Sequence, residues 1–490
     1  MTDTQMVPPP PRVPTGVPGL EDLTGGGLFK GGVYIVSGKP GAGKTIMANQ
    51  ICFNHVRAGG RAVYATMLSE THGRLLSFLQ QMKYFDPAAV GSSISYVNGY
   101  TTVEKDGLPG LMTLLRGAVR EQKATVLVVD GMVTAAAVAS SDLAYKRFIQ
   151  ELQTWVEMIG CTALLLTSSS ADTENRPEHT MVDGIIEFEA QSSAMRRIRQ
   201  IYISKFRGSA FLEGRHSYEI TDRGIVIHPR VEALYRAPFT VPDGMDRLGF
   251  GIPKLDKLVG GVRRGSVTML LGSSGAGKTV LGMHFLQAGI AQGERGLHFG
   301  FYEDPATVLE TGDRFGFDFT KAHKDGLLHA LWQAPAERSL DQLIGHLIEY
   351  CVRERPHRLF IDGIDGFRET SHPERITGCF AALRERLRSL GVTTVYTAAA
   401  NELFVQRLEI PLPGISAVTE NMIFMRQLES HGDITRALSV MKTRDRKHDR
   451  SFHLLEITDK GVRIGSQFDV GDTILSGPSR KGSRKGWRLR

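Results

Sequence analysis

The chain has 490 residues, about three times the usual domain size, with 41% hydrophobic and 23% charged residues, a balance that excludes a disordered, collagen-like or membrane-embedded protein. The formal charge is +7, but Arg480, Lys481, Arg484, Lys485, Arg488 and Arg490 supply +6 of it within an acid-free C-terminal stretch, so the basic character belongs to a tail and argues against a DNA-facing globular surface. Cys52, Cys161, Cys351 and Cys379 lie far apart, and no apolar run approaches the roughly 18 residues of a membrane span, which excludes a zinc ribbon, a disulfide framework and a spanning helix and predicts a soluble, cytoplasmic protein.

Residues 1–14 form a Pro-rich lead without the apolar core of a signal peptide. A first domain is expected over 15–228, opening with Gly16-Val17-Pro18-Gly19-Leu20-Glu21-Asp22-Leu23. The apolar run Val33–Val36 predicts a buried strand, and it leads into Gly38-Lys39-Pro40-Gly41-Ala42-Gly43-Lys44-Thr45, a full match to G-x-x-x-x-G-K-[ST]. Glycines at that spacing let backbone N–H groups close round phosphates, the lysine meets β/γ-phosphate charge, and the threonine hydroxyl ligates Mg²⁺ at a helix N-terminus. Ser69 and Glu70 come next. Leu111, Leu114, Leu115 and Ala118 share a helical face ahead of the strand Val126–Val129, whose terminal Asp130 suits the Mg²⁺ shell. Lys205-Phe206-Arg207 follows in strand-like surroundings, where residues i and i+2 share a face and present two cations together.

A linker is expected over 229–244, and then the chain repeats itself over 245–468. Gly251-Ile252-Pro253-Lys254-Leu255-Asp256-Lys257-Leu258 answers the first opening. Gly272-Ser273-Ser274-Gly275-Ala276-Gly277-Lys278-Thr279 follows the strand Val267–Leu271, at an offset of 234 residues between Lys44 and Lys278. Glu303 and Asp304, after the apolar run from Leu297, stand at the offset of Ser69 and Glu70, placed to orient or deprotonate water; Glu303, with Thr45 and Thr279, is also a candidate metal contact. The apolar face from Leu340 to Cys351 precedes the strand Leu359–Ile361 and Asp362, counterpart of Asp130, and Lys442-Thr443-Arg444 answers the first cationic pair. Two full P-loops in register predict nucleoside triphosphate binding on an α/β fold: two tandem P-loop domains, each a mostly parallel sheet flanked by helices. Residues 469–490 form the basic tail.

This order of motifs resembles the RecA superfamily, and both halves are similar to the KaiC family, most closely through Gly432–Ala437, Val440–Arg444 with His448-Asp449, and Ile474–Arg480. The resemblance implies RecA-like domains in a homohexamer of two stacked rings, ATP between adjacent subunits, ATPase activity in both rings and serine/threonine autokinase activity in the second. By that pattern Ser69-Glu70 and Glu303-Asp304 occupy the paired catalytic glutamates, and Lys205, Phe206, Arg207, Lys442, Thr443, Arg444 and His448 fall at positions that reach nucleotide from the next subunit. Two first-ring departures bear on hydrolysis: Ser69 replaces the leading glutamate, and Phe211 stands where a histidine is expected. The family's adjacent phosphoacceptors fall on Ser416-Ala417, leaving Ser416 as the one acceptor.

The implied function is a hexameric signalling or clock-type switch whose protein partner the sequence does not name. Two other readings compete with it. A RecA- or RadA-like DNA-dependent ATPase needs a basic face that the chain lacks outside its tail. An ATP-dependent assembly scaffold with little turnover draws support from Ser69.

Overall fold

The computed structural model describes residues 10–68, 72–168, 180–193, 196–235, 246–334, 338–368, 373–400, 414–430, 433–444 and 446–467. The chain divides into two compact units, Met1–Leu234 and Tyr235–Arg490. Among the described residues no helix is long and apolar enough to cross a membrane, and the four cysteines are buried and form no disulfide among the described residues.

Each unit is built on a nine-stranded sheet with the same strand order. In the first unit, Gly184–Ser193, Val33–Gly38, Thr162–Thr167, Val126–Asp130, Ala62–Thr66 and Ile94–Asn98 run parallel across the sheet. Arg196–Phe206, His216–Thr221 and Gly224–His228 extend one side as an antiparallel meander. In the second unit the corresponding parallel strands are Asn421–Ser430, Val267–Gly272, Thr393–Ala399, Arg358–Asp362, Gly296–Gly300 and Leu328–Trp332.

The central strands are buried throughout because helices cover both faces, so they read as continuous apolar runs rather than alternating ones. Alternation nevertheless sorts their side chains: Tyr34 and Val36 enter one core of the first unit, Val33 and Ile35 the other. Capping fixes where the covering helices start and stop. Ser141 caps Asp142–Ile159 by accepting from Ala144 N at 3.2 Å, and Gly160 closes that helix with φ 67°. Ser339 and Gln342 form a capping box at the head of Leu340–Glu354.

Two boundary features differ from the sequence expectation. Arg12–Val13, expected in the lead, pairs antiparallel with Leu28–Phe29, because the Arg12 guanidinium bonds the carbonyls of Thr24 and Gly27 at 2.7 and 2.8 Å. Val231–Leu234, expected in the linker, forms a helical turn that buries Val231 and Ala233.

Candidate functional site

In each unit the central strand ends in the glycine-rich loop and opens a helix, Lys44–Arg57 in the first and Lys278–Ile290 in the second. The turn into the helix needs glycine: Gly43 and Gly277 have φ 100° and 95°, and a Cβ on Gly43 would lie 2.9 Å from Ile225 Cδ1. Lys44 Nζ donates to the carbonyls of Gly38 (2.6 Å) and Lys39 (3.2 Å), and Lys278 Nζ to those of Gly272 (2.8 Å) and Ser273 (2.7 Å). Burial lowers both lysine pKa values against the opposing pull of Asp130 in one unit and of Asp362 and Asp365 in the other. A phosphate entering either loop exchanges these neutral carbonyls for charged oxygens, the better partners of an ammonium group.

The acids expected to complete the site stand beside the loop threonines. Thr45 Oγ1 donates to Asp130 Oδ2 at 3.0 Å and Thr279 Oγ1 to Asp362 Oδ2 at 2.9 Å, although each pair is more than 80 residues apart in sequence. A hydroxyl and a carboxylate at a helix N-terminus form the oxygen donor set that Mg²⁺ takes beside a nucleotide.

What holds each acid was not legible beforehand. Tyr64 OH donates to Asp130 Oδ2 at 2.6 Å, and burial with the Asp130 charge raises the Tyr64 pKa so that it stays a donor. The second unit has buried His298 at the corresponding place, and Thr397 Oγ1 takes over, donating to Asp362 Oδ1 at 2.7 Å and accepting from Gly363 N at 2.7 Å. Each of the two sits in a strand that carries other hydroxyls, Thr66 beside Tyr64 and Thr393, Thr394 and Tyr396 beside Thr397, so nothing local singles it out. Tyr218 OH likewise holds the carbonyl of Ala42 in the first loop at 2.6 Å.

Glu303 and Asp304 separate clearly. Asp304 is the N-cap of Pro305–Arg314, accepting from Ala306 N (2.9 Å), Thr307 N (3.2 Å) and Thr307 Oγ1 (2.7 Å), bonds that lower its pKa. The pKa of Glu303 is raised by partial withdrawal from water and then by the charges of Asp362 and Asp304, even though much of the side chain is exposed. Ser69 and Glu70 lie outside the described residues.

The cationic pairs sit behind matching irregularities, where one residue is extra in the ladder: Ser204 between Ile203 and Lys205, and Met441 between Val440 and Lys442. Lys205 Nζ and Arg207 Nη2 both donate to the carbonyl of Thr180, at 2.9 and 2.7 Å. Lys442 Nζ donates to the carbonyls of Ser416 (2.6 Å) and Thr419 (2.8 Å), while Arg444 holds that of Ala417. Burial lowers the Lys442 pKa and the neighbouring Arg444 charge lowers it further. Phe206 departs from its expected part as a nucleotide contact: alternation sends its ring into the core against Phe29 and Tyr34, away from its two cationic neighbours. Thr443 Oγ1 donates to the carbonyl of Arg446 at 2.7 Å and so receives His448 Nδ1–H at 2.9 Å. Ser416 is half-buried in the turn Ile415–Val418, and Phe211 packs against the first unit's core.

Two phosphate loops, each followed by a strand-end acid bonded to the loop threonine on a nine-stranded, mostly parallel sheet, define tandem RecA-like P-loop ATPase domains. A sequence model for the family described as "ATPase: KaiC" matches residues 13–232 and again 248–468. The chain belongs to the KaiC family. It is 25% identical over 492 positions to the circadian clock oscillator protein KaiC of Thermosynechococcus vestitus, covering 96% of this chain and 92% of that protein. It is 24% identical over 484 positions to the circadian clock protein KaiC3 of a Synechocystis strain, covering 95% and 94%.

Proposed function

We propose that this KaiC-like ATPase works as a Mg²⁺-dependent homohexamer with ATP between adjacent subunits, and that its second domain both hydrolyses ATP and phosphorylates Ser416. The observation that carries the reading is the paired threonine–aspartate contact beside each P-loop, at 3.0 and 2.9 Å. Thr45 with Asp130, and Thr279 with Asp362, would hold the metal shell; Mg²⁺, when bound, neutralises charge on the β- and γ-phosphates. Lys44 and Lys278 bind the phosphates, and the loop glycines admit them to backbone N–H groups.

In the second domain Glu303 is the proton acceptor, since its raised pKa brings a carboxylate closer to the basicity that general-base work needs. Water oxygen bonds to the γ-phosphorus, the β–γ bridging oxygen leaves on ADP, and the water proton passes to Glu303. With Ser416 Oγ in place of water the same step gives phosphoserine and ADP. Asp304 holds the turn that presents Glu303. Lys205, Arg207, Lys442, Arg444 and His448 reach the neighbouring subunit's nucleotide. Because Lys442 and Arg444 also grip the Ser416–Thr419 turn, the acceptor serine stands beside the nucleotide that those cations meet. The nucleotide state of the rings then signals to a partner protein. Where Ser69 replaces the leading acid, the first domain turns over more slowly than the second.

The test is the fate of γ-labelled ATP, counted as free phosphate and on the protein, with Lys44→Ala and Lys278→Ala as controls. Label on Ser416 that vanishes with Lys278→Ala is expected. Label that persists there with Lys278→Ala, or phosphate release unchanged when both lysines are replaced, would refute the assignment.

A further inference from the structure

The first unit carries a groove of about 360 Å³ between the helices Tyr100–Gln122 and Asp142–Ile159, lined by Arg116, Arg147, Glu151, Thr154, Trp155 and Met158 among others. None of these residues takes part in the nucleotide chemistry above. Trp155 is partly buried against the core, and Met158 is 77% exposed. Arg116 bonds Glu151 at 3.0 Å, and its guanidinium stands 6.0 Å from the centre of the Trp155 ring, so both of these charges are answered within the groove. An open indole and thioether between answered charges call for apolar cover rather than for a charged ligand. We propose that the chain's own N-terminal segment, Met1–Pro9, docks in this groove as an extended strap.

The described chain begins at Pro10, and Pro11 is already fixed at one end of the groove. The Pro11 carbonyl accepts from Lys30 N at 2.9 Å. A Cβ on Gly160 would lie 3.2 Å from Lys30 Cε, and one on Gly31 would lie 3.4 Å from Glu157 Cα. Pro11 therefore stands beside the last turn of Asp142–Ile159, the turn that carries Met158. From Met158 back to Arg147 is a rise of about 17 Å along that helix. Nine residues in the extended form that proline runs favour span about 28 Å at roughly 3.1 Å each. Met1–Pro9 is thus long enough to follow the groove throughout.

The second unit shows the same route with the preceding chain in place. Asp246 O accepts from Arg264 N at 3.1 Å, as Pro11 O does from Lys30 N, and Gly265 approaches Arg388 as Gly31 approaches Glu157. Gly160 and Gly391 each donate to the residue three positions back, Glu157 and Arg388, so Trp155 answers Arg386. Arg386 is covered: its guanidinium carbon lies 5.4 Å from the ring centre of Tyr235, which precedes Asp246 by 246 − 235 = 11 residues. The same count back from Pro11 ends just ahead of Met1, so Met1–Pro9 answers 236–244, the stretch that leads from Tyr235 into the second unit. The chemistry is exchanged across the two contacts. In the second unit the chain brings the ring and the helix the cation; in the first the helix brings the ring, and the segment, which has no aromatic residue, brings Met1, Met6, Val7 and its prolines. Methionine sulfur and proline both pack on aromatic faces. Asp3, the segment's single acid, has Arg147 to meet, which no carboxylate among the described residues pairs.

Acrylamide quenching of tryptophan fluorescence reads this cover, on the full chain and on a variant lacking residues 2–9. The deletion is expected to move emission to longer wavelength and to raise quenching. Trp155→Phe is expected to abolish that difference, since Trp332 and Trp487 are common to both proteins. Met6→Asp, the variant to use if the deletion perturbs the circular dichroism spectrum, keeps the segment's length and should expose Trp155 in the same way. Quenching unchanged by the deletion, or by Met6→Asp where that stands in for it, would overturn the proposal, and so would a difference that survives Trp155→Phe. Protection that disappears as the intact chain is diluted would assign the cover to a second copy and overturn it equally.

Discussion

Replacing Glu303 and Asp304 one at a time separates chemistry from capping. Glu303→Gln keeps the shape and removes the proposed proton acceptor. Loss of a positioned general base costs about 10²–10⁴ in rate, or roughly 3–5 kcal/mol of barrier. Asp304→Asn keeps an equally good cap residue, so the bonds to Ala306 N and Thr307 N survive and the turn is retained. Its turnover should stay within about threefold of the parent, because a cap change of a few tenths of a kcal/mol barely alters the ordered population. It also removes one of the charges that raise the Glu303 pKa. Since the rate falls as pH drops through that pKa, the acid limb of the pH–rate profile should move to lower pH. The assay is phosphate release at saturating ATP in a Lys44→Ala background, which confines turnover to the second domain, with nucleotide binding measured alongside. A Glu303→Gln protein that keeps near-parental turnover while Asp304→Asn loses about a hundredfold would reverse the two roles and refute the reasoning.

The imidazole of His298 is buried and its pKa pushed down to about 4 by desolvation, against the raising effect of Asp362. An unfolded histidine near 6.5 binds the proton that the folded one refuses, so stability of the second unit is full above about 6.5 and falls as pH drops toward 4, by up to roughly 3 kcal/mol. A ring titration followed by NMR should show no protonation of this histidine above pH 5. Arg358, fully buried, donates to Glu294 at 2.7 Å and to the carbonyls of Gly249 and Phe285 at 2.7 and 3.0 Å. Arg358→Met strands the Glu294 carboxylate with Arg264 alone and should cost about 3 kcal/mol in urea denaturation of the second unit.

The parts of the site legible in sequence were those that phosphate chemistry ties to fixed spacing. Lys44, Thr45 and their glycines follow from one contiguous motif, and Asp130 from the apolar strand that it ends. The strand order could be anticipated only as parallel, because burial on both faces erases the alternation that would orient each strand. The holders of the acids were hidden for a different reason. Tyr64 and Thr397 reach their aspartates across neighbouring strands, so their partners lie 66 and 35 residues away and no local pattern marks the pairing. Asp304 could have been recognised as a cap from the Pro305 that follows it. Phe206 could have been assigned to the core from the same i, i+2 alternation that brought Lys205 and Arg207 together.

The two units also differ in a way that makes their cores testable against each other. Gly282, in the helix after the second P-loop, faces Phe360 so closely that a Cβ would lie 2.1 Å from the ring's Cε2 and Cζ. The first unit holds Ala48 and Val128 at these two places, both fully buried. A methyl group on the helix has been exchanged for ring volume on the strand, and the pair is therefore a unit. Gly282→Ala alone gains helix propensity of about 1 kcal/mol but forces the overlap, so it should destabilise by about 1–3 kcal/mol net. Phe360→Val alone leaves a void and should cost about 3 kcal/mol. In the double variant the methyl group enters the space that the ring vacates, so the combined loss should fall below the sum of the two by about 1–2 kcal/mol. Urea denaturation of all four proteins gives the coupling energy directly. Additive losses would mean that the second unit relaxes around either change on its own, and that the correspondence between Ala48 with Val128 and Gly282 with Phe360 carries no packing information.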